Sequence, residues 1–148
     1  MKKKPTQEML SSIDETRQKG REHWLKGELA LAEEQFLKAW AILPHSPFDY
    51  DYSQILSRGL VTFYRETKQF EKAIKRLEVV CKAYNATPEE DAGVCFLTAT
   101  VYFESGDLER AYELFDRLYK QYGKRPFKEK KPEYLKFYIT RSAKRENR

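Results

Sequence analysis

Only two cysteines, two histidines, six glycines and six prolines occur among 148 residues, and each scarcity removes a class of protein from consideration. Two cysteines are too few for a disulfide framework; Cys81 and Cys95 stand among apolar residues on expected helices and are read as buried thiols. His23 and His45 have no cysteine or carboxylate at metal-ligand spacing, so no metal site is expected. No glycine-rich loop that could cradle phosphate is present. Carboxylates are abundant, but Glu89, Glu90 and Asp91 fall at a helix start, where negative charge complements the helix dipole. The chain is therefore expected to have no catalytic residues and no cofactor. No apolar run approaches the eighteen residues of a membrane span. Met1-Lys2-Lys3-Lys4 has the charge that opens a signal peptide, but residues 6–21 are mostly polar where an apolar stretch would be required. A cytosolic protein is expected.

What is present is helical in character: 41% hydrophobic and 34% charged residues, with too little Gly and Pro for long disordered stretches. The net charge of +5 is unevenly placed. Residues 124–148 hold ten Lys/Arg against three Asp/Glu, and Lys2 to Lys4 add three more positive charges. The body between them carries five more acidic than basic residues, so the overall basicity describes the ends and not the middle.

One pattern occurs three times. Ala32, Ala73 and Ala111 each follow a bulky apolar residue three places earlier (Leu29, Phe70, Leu108) and precede another four places later (Phe36, Leu77, Phe115). Ala39, Val80 and Leu118 close the three copies. A repeat of this size signifies stacked supersecondary units, none of which buries its apolar face alone.

Seven helices are expected. Residues 6–26 form the first, with Thr6 as N-cap, Gly20 inside where a second helix must come close, and Gly27 just past the end. Residues 28–43 form the second, stopped by Pro44 and Pro47. After a loop at 45–51 come helices over 52–66 and 70–84, the latter with the clearest three- and four-residue apolar spacing. Pro88 at a first helical position opens the fifth, which runs to Glu104. Asp107 caps the sixth, 108–122. A basic connector at 124–131 leads to Pro132 and a seventh helix to about Lys144, whose aromatic residues suit it to cover the open end of a helical stack. The expected organisation is a basic tail (1–5), a repeat domain (6–123), and a basic linker with a capping helix (124–148).

These residues resemble the tetratricopeptide repeat family. Gly20, Gly27, Leu29, Ala32, Phe36, Ala39 and Pro44 match its framework in the first unit; Tyr64, Phe70, Ala73 and Leu77 match in the second; Tyr102, Gly106, Leu108, Ala111 and Phe115 match in the third. Lys68 stands where Gly is usual, and Asn85 and Gly123 where Pro is usual. The resemblance implies an all-α fold: three helix hairpins stacked in a right-handed superhelix, plus the C-terminal cap. A second resemblance, carried by residues 39–44 and 127–137, is to small bacterial tetratricopeptide proteins encoded beside polymorphic toxins. It implies an immunity protein that neutralises a toxin, although Lys130 and Lys131 stand where acidic residues are usual.

The family's geometry places the first helix of each hairpin along a concave groove. Carried over position by position, the groove would present Arg17, Arg21 and Trp24, then Ile55, Arg58, Thr62 and Arg65, then Phe96, Thr100 and Phe103, with Asp14, Leu25, Glu66, Ala92 and Glu104 beside them. Arginine pairs with carboxylates in a bidentate fork and stacks on rings, so this surface implies a protein partner: an extended or helical acidic segment with apolar anchors, such as a toxin domain. The carboxylate clamp by which some members hold a chaperone tail needs Lys and Asn at positions occupied here by Arg17, Arg21, Gly59, Ala92 and Leu97, so that partner is not implied. The bland alternative is that the arginines pair with Asp14, Glu22 and Glu66 and merely solvate the surface. A different function class is open too: the basic C-terminal region could hold nucleic acid by phosphate contacts, with Phe127, Tyr134 and Tyr138 stacking on bases. Nothing in the sequence sets the oligomeric state.

Overall fold

A computed structural model describes residues 1–146. It contains α1 (Gln7–Leu25), α2 (Leu29–Ile42), α3 (Tyr52–Glu66), α4 (Phe70–Tyr84), α5 (Ala92–Ser105), α6 (Leu108–Tyr122) and α7 (Pro132–Glu146), with short 3-10 turns at Pro47–Asp49 and Arg125–Phe127. Among the described residues there is no strand, only one isolated parallel bridge between Lys3 and Tyr50. Contacts divide the chain into two compact units, residues 1–85 and the part from residue 86 onward.

The three hairpin turns have one geometry. Gly27, Lys68 and Gly106 take positive φ values of 77°, 61° and 93°. In each case the next residue's N–H reaches back to a carbonyl five residues earlier: Glu28 to His23 at 2.9 Å, Gln69 to Tyr64 at 2.8 Å, Asp107 to Tyr102 at 2.9 Å. This is the helix-ending pattern that satisfies otherwise orphaned carbonyls. It repeats in register with the Ala32, Ala73 and Ala111 spacing because turn and helix start form one unit. Lys68 alone among the three carries a Cβ into the left-handed region, which costs an L-residue about 1–2 kcal/mol. Lys68→Gly is therefore expected to raise stability by about 1 kcal/mol, less what glycine gains in unfolded-state freedom; a chemical denaturation midpoint checks it.

In the first unit, α1 packs on α2 and α3 on α4. Ile13, Ala32, Ala39, Leu56, Leu60, Phe63, Ala73, Leu77 and Val80 are buried. Gly20 permits the close approach of α1 and α2: a Cβ there would lie 2.7 Å from Cε1 of Phe36. The Phe36 ring stands edge-on to Phe63 at 5.1 Å and to Trp24 at 6.3 Å, so it has little room to retreat. Gly20→Ala should gain about 1 kcal/mol of helix propensity and lose about 1–3 kcal/mol to overpacking. The expected result is a net loss of about 1 kcal/mol, read as a lowered melting temperature.

The N-terminal basic residues are built into this unit. The Lys3 N–H donates to Asp49 O at 2.7 Å, Asp51 N–H donates to Lys3 O at 3.0 Å, and Lys2 Nζ donates to Phe48 O at 2.6 Å. The residues read as a tail thus lie along the connector between α2 and α3. Phe48 from the same connector packs edge-on to Trp40 at 5.7 Å.

In the second unit, α5 begins at Ala92 and not at Pro88. Asp91 accepts from Val94 N at 2.9 Å and caps the helix, while Thr87 N donates to Glu90 Oε1 at 2.9 Å and closes a separate turn over Pro88. Two competing start signals lie three residues apart, and the side-chain cap prevails. Helix α7 covers the α5–α6 pair as expected. Tyr134 lies 5.9 Å from Phe96 and 5.8 Å from Phe115, and Tyr138 stacks on Tyr112 at 5.4 Å. Phe127, delivered by the 3-10 turn, joins the same aromatic core.

Candidate functional site

Positions 14, 17, 21 and 24 of α1 and 55, 58, 62 and 65 of α3 step by three and four and so share one face on each helix. The two faces meet within the first unit. The Tyr52 hydroxyl donates to Asp14 Oδ1 at 3.2 Å, and Nη2 of Arg17 lies 4.0 Å from where a Cβ on Gly59 would stand. Arg21 donates to Gln18 Oε1 at 3.0 Å and Arg58 to the Tyr84 hydroxyl at 3.3 Å. Among the described residues, no carboxylate lies within ion-pairing distance of Arg17, Arg21 or Arg58. The expected neutralising partners are engaged elsewhere: Asp14 by Tyr52, Glu22 by Gln18. Arg65 differs. It pairs with Glu66 at 3.2 Å and its side chain is only 13% exposed. Ile55 (49% exposed) and Leu25 (89% exposed) present apolar surface on α3 and α1. Trp24 is half-buried, its ring edge-on to Phe63 at 5.1 Å; Thr62 is half-buried.

The three groove positions assigned to α5 do not form a comparable face. Phe96 and Thr100 are buried, and the Thr100 hydroxyl donates to Leu97 O at 2.7 Å. Phe103 is half-buried, with Tyr134 at 5.3 Å and Phe137 at 5.1 Å. Residues 94–101 are all buried, so this helix has no exposed stripe along that stretch. The sequence signal was legible there: residues 92–101 contain no charged side chain, and a helix apolar all round is a buried one. The base-stacking role for Phe127, Tyr134 and Tyr138 is corrected on the same ground. All three are buried within the aromatic core of the second unit, so their faces are closed to a base.

Some of the polar groups with shifted titration tie helices together. Glu33 accepts from the Tyr64 hydroxyl at 2.7 Å and from Lys72 at 2.9 Å. Burial alone would raise its pKa, but those hydrogen bonds and the lysine charge outweigh it and hold the carboxyl below its ordinary range. Burial and the Glu33 charge push the Tyr64 phenol well up. A similar tie joins Tyr138, Asp116 and Lys120 in the second unit. Burial pushes the Cys95 thiol up to about 11, which leaves it a weak nucleophile, and both cysteines are free. Cys81 is half-buried and not fully enclosed as the sequence suggested. Among the described residues, no group of three His, Cys, Asp or Glu side chains is placed to hold a metal ion, and no helix is long and apolar enough to cross a membrane.

No family model matches the chain, and no curated protein matches it in sequence. Among solved structures, the N-terminal domain of stress-induced protein-1 (STI-1) from C. elegans is similar, with a TM-score of 0.60 over 91% of this chain and 98% of that one, at 16% identity. The likeness establishes an all-α helical repeat fold of the tetratricopeptide type.

Proposed function

We propose that the chain is a non-catalytic protein-interaction module whose first unit holds an acidic partner segment against α1 and α3. The observation that carries this reading is the set of Arg17, Arg21 and Arg58, three guanidinium groups without carboxylate partners among the described residues, beside exposed Ile55 and Leu25. Such a set supplies charge complementarity and apolar contact together, and arginine is among the residues that most often dominate binding energetics. Phe96 and Thr100 play no part, and Arg65 is occupied by Glu66.

The test uses a fluorescein-labelled peptide of glutamates interspersed with leucines, titrated into the full chain by anisotropy. Arg17→Glu combined with Arg58→Glu should weaken binding at least tenfold, with far-UV circular dichroism unchanged because Arg58 is exposed and Arg17 only partly covered. Unchanged affinity in that variant overturns the reading. So does tighter binding of a single-stranded oligonucleotide than of the peptide.

A further inference from the structure

The second unit carries a cleft of about 860 Å³ formed by one face of α7 together with Phe103 of α5 and Glu109 of α6. From α7 it is lined by Lys136, Phe137, Thr140, Arg141 and Lys144, spaced by three and four so that they share a face. Its floor is aromatic: Phe103 and Phe137 meet edge-on at 5.1 Å. Its walls differ in how much of their charge is already used. Arg145 grips Glu109 through two contacts, 2.6 and 2.8 Å, with its guanidinium 4.1 Å above the Tyr112 ring. Arg141 leans on the Phe137 ring at 5.0 Å and approaches Glu109 at 3.9 Å. Glu109 is thus saturated by two arginines. Lys136 and Lys144 are exposed and, among the described residues, have no carboxylate within ion-pairing distance.

We infer that this cleft is a second docking site, separate from the α1 and α3 face, for an acidic protein segment bearing one apolar anchor. Lys136 and Lys144, two helical turns apart, meet carboxylates of the segment, and the anchor rests on the floor made by Phe103 and Phe137. Nucleic acid fits less well on this surface. The Phe137 face is covered by Arg141, and Phe103 is wedged against Tyr134 and Phe137, so a base finds no open face to stack on, whereas the ring atoms that line the cleft still give an apolar anchor van der Waals contact.

The experiment is an amide chemical-shift titration of the full chain with a short synthetic peptide of glutamates flanking a single phenylalanine, alongside a twin in which lysines replace the glutamates. The glutamate peptide should shift the amides of Phe103, Lys136, Phe137, Thr140 and Lys144 in a saturable way. Lys136→Glu with Lys144→Glu should weaken those shifts at least tenfold. The Arg17→Glu, Arg58→Glu variant should leave them unchanged, which keeps failure here distinct from failure of the first-unit site. Three results overturn the inference: no saturable shift at the cleft, equal binding of the lysine twin, or cleft shifts produced by a single-stranded oligonucleotide at lower concentration than by the peptide.

Discussion

Phe115→Ala is expected to lower the unfolding free energy by about 3–5 kcal/mol, the range for removing a fully buried phenylalanine. Phe115 is completely enclosed, and four rings converge on it: Phe127 at 5.4 Å, Phe96 at 5.7 Å, Tyr134 at 5.8 Å and Phe137 at 6.3 Å. Those neighbours come from α5, the 3-10 turn and α7, so no single side-chain shift can fill the space. Phe115→Leu keeps much of the volume and should cost less than half as much. Circular dichroism during denaturation reads the whole chain, whereas tryptophan fluorescence reads only the first unit, because both tryptophans, Trp24 and Trp40, lie there. A loss below about 1 kcal/mol would mean that the ring is not the centre of this core.

Tyr64→Phe is expected to cost about 1.5–3 kcal/mol at neutral pH, the range for a hydrogen bond to a charged group. The hydroxyl is 2.7 Å from Glu33 Oε2 in a largely covered position, and the variant leaves the carboxylate with only Lys72 at 2.9 and 3.1 Å. The pH dependence follows from the lowered pKa of Glu33. A carboxyl held below its ordinary value of 4.5 stabilises the fold fully above that value and loses the contribution as pH falls through the folded-state pKa. The gap between wild type and Tyr64→Phe should therefore narrow on acidification below about pH 4.5 and stay constant from there up to neutrality. A gap that widens on acidification would show that Glu33 is not the acceptor that matters.

Much of this architecture can be read from side-chain order because each hairpin repeats one local solution. The Ala32, Ala73 and Ala111 spacing marks helix contacts, and the boundaries of α3, α4 and α6 follow directly from the apolar stripe and the punctuation around it. Pro88 and Asp91 both signal the start of α5, and only three-dimensional capping distinguishes them. Exposure was harder to infer than helicity. The family's rule that the first helix of each hairpin lines a groove expects accessible positions there, and Arg21 and Arg58 are exposed while Arg17 is half-buried. It fails for Phe96 and Thr100, because α5 is enclosed along the stretch that includes them. The cleft along α7 has no local signature, since Lys136 and Lys144 are separated by eight residues and share its lining only through the helix pitch and the ring of Phe103 from another element. Likewise, the pairing of Lys3 with Asp49 and Asp51 joins residues nearly fifty positions apart, with no local pattern to announce it.

That last pairing has a practical consequence. Lys2 and Lys3 are seated by their own main-chain and ammonium groups, a few residues ahead of α1. An affinity tag or reporter joined directly ahead of them would crowd the seat and disturb the loop at 45–51 together with the first turn of α3. Labelling at a single introduced cysteine on the outer side of α2, at exposed Glu34 or Lys38, would leave both ends undisturbed.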